Sequence, residues 1–333
     1  MSLLRKLLFP LSLLFKIVQE IRNLLYDLNI IGHTKFNIPT VSIGNLSMGG
    51  TGKTPLVEYL LSKLTIKYKI GILSRGYKRK SNGFLKLNEY SDISFVGDEP
   101  FIIKKTFPES NVYVCEDRVV GIKNILKNDE LDVIILDDAF QHRKLKTSLN
   151  IMLSSFSKPF YNDYIFPVGN LRESRLSYKR ANIIIITKCP ANLNQNEMND
   201  IRLKINPLDY QKIFFTYISY KELLFGNKSV NINSIVNKEI LLVTGIAETE
   251  NIINFLNSKS IKFKHLKYSD HHNYSYDDIN NILKFSKNLL VLTTKKDYYK
   301  LKGKINNLLY LDIETIFLKN EDEFLKEVYK ILN

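Results

Sequence analysis

Cysteine is scarce: two in 333 residues, too few for a disulfide framework or a cysteine-built zinc module, and in keeping with a reducing compartment. Histidine numbers five, so a closed zinc site is short of ligands. The most apolar stretch, residues 1–31, holds nothing near the ~20 apolar residues of a spanning helix; its longest uncharged run is Leu7 to Phe15. A signal peptide fits poorly, because Lys16 ends that run, no small-residue cleavage site follows, and the apolar pattern continues to Leu28. No internal repeat is evident. Acidic residues are in deficit, 34 Asp+Glu against 48 Lys+Arg, or 48 − 34 = +14. Such an excess concerns partners rather than fold, and an anionic membrane, an anionic substrate and nucleic acid would each answer it. The basic residues are dispersed and no nucleic-acid recognition motif is present, which argues against the last. The remainder is ordinary globular composition, 44% hydrophobic and 25% charged, with length for about two domains.

Within the first 30 residues Arg5, Ser12, Lys16, Gln19, Arg22/Asn23 and Asp27 recur mostly at helical spacing and leave a broad apolar face. The pattern predicts an amphipathic helix with a kink at Pro10. It would either lie on an anionic bilayer or pack on its own domain; the long apolar face and basic flank favour the bilayer. From about residue 38, short apolar runs alternate with helical patterns: strands at 39–44, 69–73, 111–115, 132–136, 150–153 and 182–187, with helices near 53–67, from 99 and at 118–127. That alternation predicts an α/β fold with a mostly parallel sheet covered on both faces. A segment rich in Asn, Lys and Tyr follows at 190–235, and a second α/β set runs from 239 to a closing helix at 321–332. The expected organisation is a helix at 1–30, a core domain at 31–210, a β linker at 211–235 and a smaller α/β domain at 236–333.

Between the first strand and first core helix stands Gly44-Asn45-Leu46-Ser47-Met48-Gly49-Gly50-Thr51-Gly52-Lys53-Thr54. In that setting a glycine-rich run ending Gly-Lys-Thr reads as a P-loop. Residues 47–54 would cradle the phosphates of ATP, Gly49, Gly50 and Gly52 letting backbone N–H groups turn inward. Lys53 would reach the β/γ phosphates and Thr54 would ligate Mg²⁺. Ser47 stands where the strict pattern has glycine. The strand at 132–136 ends in Asp137-Asp138, placed as a P-loop NTPase places the acidic residue that holds Mg²⁺ or its waters. Gly97-Asp98-Glu99-Pro100 precedes a helix and reads first as an N-cap. Gln141, His142 and Arg143 fall just beyond a sheet's carboxyl edge, where open α/β folds bind ligands. Arg172 and Arg175 offer guanidiniums suited to phosphate. Asp270-His271-His272 suits a metal site, a loop cap or a catalytic pair, and Lys296-Asp297 a solvated turn.

Together, the P-loop with Ser74-Arg75-Gly76-Tyr77, Gly97-Asp98-Glu99-Pro100, Arg118, Asp137-Asp138-Ala139-Phe140-Gln141-His142, Pro167-Val168-Gly169 with Arg172-Glu173, Asp270-His271 and Lys296-Asp297 resemble the tetraacyldisaccharide 4'-kinase family of lipid A biosynthesis. A polar residue at position 47 is similar to that family's own loop; Ala139 departs from its usual glycine, which bears on local backbone shape. The resemblance implies a P-loop NTPase core plus a smaller C-terminal α/β domain, joined by a short β linker. It also implies transfer of the γ-phosphate of ATP to the 4'-hydroxyl of tetraacyldisaccharide 1-phosphate, forming lipid IVA at the cytoplasmic face of the bacterial inner membrane.

The roles that follow are Asp98 as base toward the sugar hydroxyl, assisted by His271; Lys53 and Asp138 in the catalytic set; Thr54 with Asp137 or Asp138 on Mg²⁺. Arg75, Glu99, Arg118, Gln141, His142 and Arg172 would contact the acceptor or the transferring group. With His271 in the second domain, domain closure is expected. The rival reading is a P-loop NTPase of the metal-chaperone or partition type, for which Cys115 and Cys189 supply no metal motif.

Overall fold

The computed structural model describes residues 7–287 and 289–332; Arg5, part of the expected amphipathic pattern, lies outside them. The chain divides into two compact units, Met1–Ile218 with Thr315–Asn333, and Ser219–Glu314.

The first unit is built on β1 (Thr40–Asn45), β2 (Ile70–Ser74), β3 (Leu85–Lys86), β4 (Asn111–Val114), β5 (Val133–Asp137), β6 (Leu149–Ser155), β7 (Ile183–Thr187) and the start of β8 (Lys212–Gly226). Their spatial order is β8-β7-β6-β1-β5-β2-β4-β3. All these pairs are parallel except β3 with β4. Every residue of β1, β2, β5 and β7 is buried, which accounts for their near-continuous Val/Ile/Leu runs: a sheet covered on both faces has no solvent side to alternate with. Val133 and Ile135 join one core with Leu56, Leu60 and Leu64 of the helix Lys53–Leu64. Ile134 and Leu136 face the other way, onto Ile122 and Ile125 of the helix Arg118–Asn128. The register pairs Ile43 with Asp137, Leu73 with Leu136 and Ser155 with Thr187. The segments following β1, β2, β5, β6 and β7 therefore leave one carboxyl edge together.

Three expectations need correction. The helix Gln195–Ile205 lies in a segment read only as polar. Its signal was a capping box at Asn194 and Glu197 with Met198, Ile201 and Ile205 buried behind it. The β linker expected at 211–235 is shorter, a single 15-residue strand, β8, which runs from the first unit into the second. The end of the chain, assigned above to the second domain, returns to the first unit. Phe317, Phe324 and Val328 enter its main core, and Glu321 of the closing helix Glu321–Tyr329 accepts a hydrogen bond from Tyr59 Oη at 2.7 Å and pairs with Lys63 at 2.9 Å.

The N-terminal helix runs Phe9–Asp27 with Pro10 in its first turn, where proline's missing N–H costs nothing and no kink results. Its only buried residues are Ser12 and Tyr26. Ser12 Oγ donates to Ile165 O at 2.8 Å, Arg22 to Gln141 O at 2.8 Å, and Arg143 donates back to Asn23 O at 2.8 Å. The helix is thus held to its unit by polar groups and by Phe15, which packs against a core cluster, while Leu11, Leu14, Ile17, Val18, Ile21 and Leu24 are exposed. No helix among the described residues is long and apolar enough to cross a membrane.

The second unit carries the parallel order β11-β10-β12-β13, formed by β10 (Glu239–Thr244), β11 (Lys262–Lys267), β12 (Leu290–Thr294) and β13 (Leu308–Phe317). The helices Glu250–Ser258 and Tyr276–Ser286 cover it through Ile252, Leu256 and Ile282.

The return of the C-terminus makes Phe324 a core residue of the first unit. Phe324→Ala should lower the stability of the protein by roughly 3–5 kcal/mol, the range for emptying a buried aromatic site. Phe95→Ala, at an exposed position, should change it little. Urea unfolding followed by fluorescence measures both, and equal midpoints for the two variants would contradict the placement.

Candidate active site

The P-loop is shaped by residues on two strands and a loop. Asn45, fully buried at the end of β1, donates its side-chain amide to Ser47 O and Thr51 Oγ1, each at 2.8 Å. Met48 N donates to Asn170 O at 2.7 Å, and Thr187 Oγ1, at the end of β7, donates to Thr51 O at 2.8 Å. Gly49 and Gly52 adopt φ of +107° and +84°, left-handed values at which a Cβ is strained. Gly52 caps the helix Lys53–Leu64 without a side-chain hydrogen bond, so the first N–H groups of that helix and its dipole face the loop. Lys53 is buried, 9% exposed.

Two adjacent carboxylates at the end of β5 differ sharply. Asp137 is fully buried and accepts from Ser74 Oγ at 3.3 Å through Oδ2, while Oδ1 has no hydrogen-bond partner. Burial first and the Glu99 carboxylate second push its pKa up to about 7, with Lys53 pulling it back. Asp138 is bound on two sides, by Lys53 Nζ at 3.5 Å and by Arg172 Nη1 at 2.9 Å and 3.0 Å from its two oxygens. Burial opposes its ionisation, but Lys53, Arg172 and Arg118 outweigh burial and hold its pKa below the ordinary carboxylate value. Asp138 also carries the positive φ of this segment, +49°, whereas Ala139 does not. Alanine in place of the family's glycine therefore meets no left-handed strain. The tight contact is at Gly44, where a Cβ would stand 2.6 Å from Phe140 Cβ and 2.8 Å from Phe140 N.

Asp98 and Glu99 open the helix Asp98–Thr106, with Gly97, not Asp98, at its N-cap. Gly97 has φ +92°, and a Cβ there would lie 3.1 Å from Gly76 Cα and from Tyr77 O. The two loops interlock, which seats the start of this helix beyond the end of β2, with Glu99 close enough to Asp137 to raise its pKa. Arg75 is exposed beside them. Gln141 donates Nε2–H to Asn45 O at 2.7 Å, tying its segment to the P-loop strand. His142 is pushed down to about 4 by burial and then by Arg118 and Arg75, so it is neutral at pH 7.

Arg118 does not fit its expected role. It is 1% exposed, and its guanidinium donates to the backbone oxygens of Cys115 at 2.8 Å, Glu116 at 3.2 Å, Asp137 at 3.1 Å and Asp138 at 3.4 Å. It braces the end of β5 from within and is not available to an acceptor. Thr187, which holds the P-loop through Thr51 O, was missed. Its signal was a Thr-Lys pair closing an apolar strand, a position on the ligand-binding edge.

In the second unit His271 has φ +57° and donates its backbone N–H to Gly245 O at 3.2 Å. Its neighbour Asp270 lies 3.6 Å from Lys296 Nζ. Lys296-Asp297 is no solvated turn, for Asp297 is fully buried and its Oδ2 accepts from Gly245 N at 2.8 Å and Thr294 Oγ1 at 2.7 Å. His272 is turned to Asp278 at 2.9 Å.

Comparison with known proteins agrees with this geometry. The family model for tetraacyldisaccharide-1-P 4'-kinase matches residues 4–333. The tetraacyldisaccharide 4'-kinase of Flavobacterium psychrophilum is 42% identical, over 98% of this chain and 97% of its own. That of Bacteroides thetaiotaomicron is 36% identical, over 96% and 91%. The crystal structure of LpxK from Aquifex aeolicus in complex with ATP superposes with a TM-score of 0.81 at 31% identity, covering 99% of this chain and all of that one.

The depressed His142 has a measurable consequence. Its folded pKa, about 4, lies below the ordinary 6.5, so the unfolded chain binds a proton that the native state refuses. Stability from this group is complete above pH 6.5 and falls as pH drops toward 4, by on the order of 2–3 kcal/mol. Urea unfolding of wild type and His142→Gln at pH 7 and pH 4.5 should show wild type losing more stability than the variant. Parallel losses would contradict the assignment.

Proposed function

The chain belongs to the tetraacyldisaccharide 4'-kinase family, ATP-dependent enzymes that phosphorylate the 4'-hydroxyl of tetraacyldisaccharide 1-phosphate to form lipid IVA in lipid A biosynthesis, and from that premise we propose how its residues divide the work. The observation that carries the reading is the meeting, at one sheet edge, of a P-loop whose lysine is buried and an acidic pair whose members are oppositely disposed to ionise. Phosphoryl transfer asks for positioning and charge neutralisation more than covalent chemistry, and this edge supplies both.

Lys53 and the N–H groups of residues 47–54 hold the β and γ phosphates. Lys53 is now held by Asp138, and an arriving phosphate chain would compete for it. Asp138 thus keeps Lys53 and Arg172 poised. Asp137 suits the metal better, because its Oδ1 is buried without a donor and a hard cation takes such an oxygen. With the Thr54 hydroxyl in the first helical turn, that donor set fits Mg²⁺, which when bound would neutralise charge on the phosphate oxygens. Asp98 accepts the proton of the 4'-hydroxyl, and His271 of the second unit assists it. Arg75, Gln141, His142 and Arg172 face the acceptor, with Glu99 beside them; neutral His142 can donate or accept a hydrogen bond without adding charge.

The exposed apolar side of the helix Phe9–Asp27 supports peripheral attachment to the cytoplasmic face of the inner membrane, where a tetraacylated substrate resides. Its polar side is already committed to its own unit, so the apolar side is what remains for lipid.

Incubation with γ-labelled ATP and tetraacyldisaccharide 1-phosphate in detergent should place the label in the lipid; release only as inorganic phosphate would favour the partition-type NTPase reading instead. Asp98→Ala should lower kcat by on the order of 10²–10⁴-fold with ATP affinity unchanged, the usual contribution of a positioned base. Near-normal turnover would remove Asp98 from that role. Replacing Leu14, Ile17 and Ile21 together by serine should abolish sedimentation with anionic vesicles, since each buried side chain is worth up to about 1.5–3 kcal/mol, while ATP binding persists.

A further inference from the structure

The kinase mechanism leaves one motif without a task, Lys296-Asp297. In the second unit β10 and β12 are parallel neighbours, with Val243 opposite Thr293, so the segments that follow them leave the same edge of the sheet. After β12 comes the helix Lys295–Leu301; after β10 comes Gly245. Asp297 joins the two. Its Oδ2 accepts from Thr294 Oγ1 at 2.7 Å and from Gly245 N at 2.8 Å. Helix capping accounts for the first bond only. Thr294 is the N-cap, its hydroxyl accepting from Asp297 N at 3.2 Å, and an aspartate on the surface would serve that cap equally well. Asp297 is instead fully buried, an unfavourable place for a carboxylate unless its hydrogen bonds hold something.

What it holds is Gly245, and Gly245 carries the connection to His271. The Gly245 carbonyl accepts from His271 N at 3.2 Å, so this one residue is gripped by Asp297 through its N–H and by His271 through its C=O. No side chain fits at the junction: a Cβ on Gly245 would stand 2.7 Å from Asp297 Oδ1 and 3.1 Å from Tyr274 Oη. His271 itself has φ +57°, a left-handed conformation that persists only where surrounding contacts impose it. The direction in which its imidazole leaves the loop is therefore set by whatever fixes its backbone. The same short helix also holds the residues on either side. Lys296 Nζ lies 3.6 Å from Asp270 Oδ1, and Lys300 Nζ donates to His272 O at 3.1 Å. Positions 296, 297 and 300 share one side of a helix, and from that side they reach three consecutive loop residues, 270 to 272.

We propose that Asp297 is a positioning residue for phosphoryl transfer: through Gly245 it fixes the backbone of His271 and with it the bearing of the imidazole that assists Asp98, and Lys300 gives the same loop a second support. Asp297 touches no reacting atom in this scheme and passes no proton. Its contribution is to remove slack, because a catalytic group displaced by about 1 Å can lose on the order of 10²-fold in rate. The inference rests on the reading in which His271 assists Asp98, and adds to it what orients His271.

The test measures kcat and KM for label transfer from γ-labelled ATP to tetraacyldisaccharide 1-phosphate in detergent. Asp297→Ala should lower kcat on the order of 10²-fold and leave the KM for ATP unchanged, since the P-loop belongs to the other unit. Asp297→Asn keeps an oxygen for the Gly245 N–H and should recover most of that loss. The deciding comparison is Asp297→Ala made in a His271→Ala background. There it should lower kcat no further, whereas a carboxylate that only stabilised the fold would lower kcat by the same factor with or without the imidazole. Equal factors in the two backgrounds, or near-normal kcat in Asp297→Ala, would overturn the inference. If Asp297→Ala does not fold, Lys300→Met decides in the same two backgrounds: a loss of kcat confined to the one that retains His271 supports the inference, and an unchanged kcat overturns it. Full activity in His271→Ala alone would instead remove His271 from the chemistry, and the inference with it.

Discussion

Asp137 is fully buried at the end of β5 with one carboxylate oxygen facing no donor, and the rest of the site is arranged around that group. A carboxyl removed from water and left half-unpaired resists ionisation, hence its raised pKa. Lys53 and Arg118 offset this only in part. Lys53 and Arg172 turn to Asp138 instead, and Arg118, the nearest buried guanidinium, donates to backbone oxygens at the strand end rather than to the Asp137 carboxylate. On the reading proposed above, the carboxylate oxygen left without a donor is where a divalent cation would bind.

The backbone around this pair explains why several residues are not interchangeable. For Asp138 to leave β5 with φ +49° and let Phe140 cross β1, position 44 must lack a Cβ. The crossing brings Gln141 to Asn45 O, and Asn45 in turn holds Ser47 and Thr51. P-loop and acidic pair are therefore one hydrogen-bonded construction, joined through Gly44 and Asn45.

Much of this was legible in the sequence, for identifiable reasons. Strands buried on both faces announce themselves as apolar runs, so β1, β2, β4, β5 and β7 were placed to within a residue or two, and the P-loop and acidic pair followed from their positions at strand ends. Arg118 was misread because a motif arginine looks the same whether it faces a ligand or backbone oxygens; only burial separates the two. The helix Gln195–Ile205 was hidden by its Asn-rich face, although its capping box was present. The return of Phe324 to the first unit could not be read at all, since a closing helix fits either unit until its partner, here Phe214 and Tyr59, is known.

The N-terminal helix reverses the usual arrangement, and its four charges, Lys16 and Arg22 against Glu20 and Asp27, cancel. An ordinary surface helix buries its apolar stripe and exposes its polar one; here Ser12, Arg22 and Tyr26 face the protein, and Leu14, Ile17, Ile21 and Leu24 face outward. Leaving so many large side chains in water is unfavourable for a soluble form and favourable once they enter a bilayer. Basic groups near an anionic surface add about 1 kcal/mol each. Because Arg22 and Arg143 join this helix to the segment carrying Gln141 and His142, the element proposed to meet the lipid is tied to the loop that follows the acidic pair. On the reading proposed above, a substrate whose acyl chains remain in the membrane would present its sugar hydroxyl to Asp98 without leaving the bilayer entirely, which is the geometric demand that a tetraacylated acceptor places on such a P-loop.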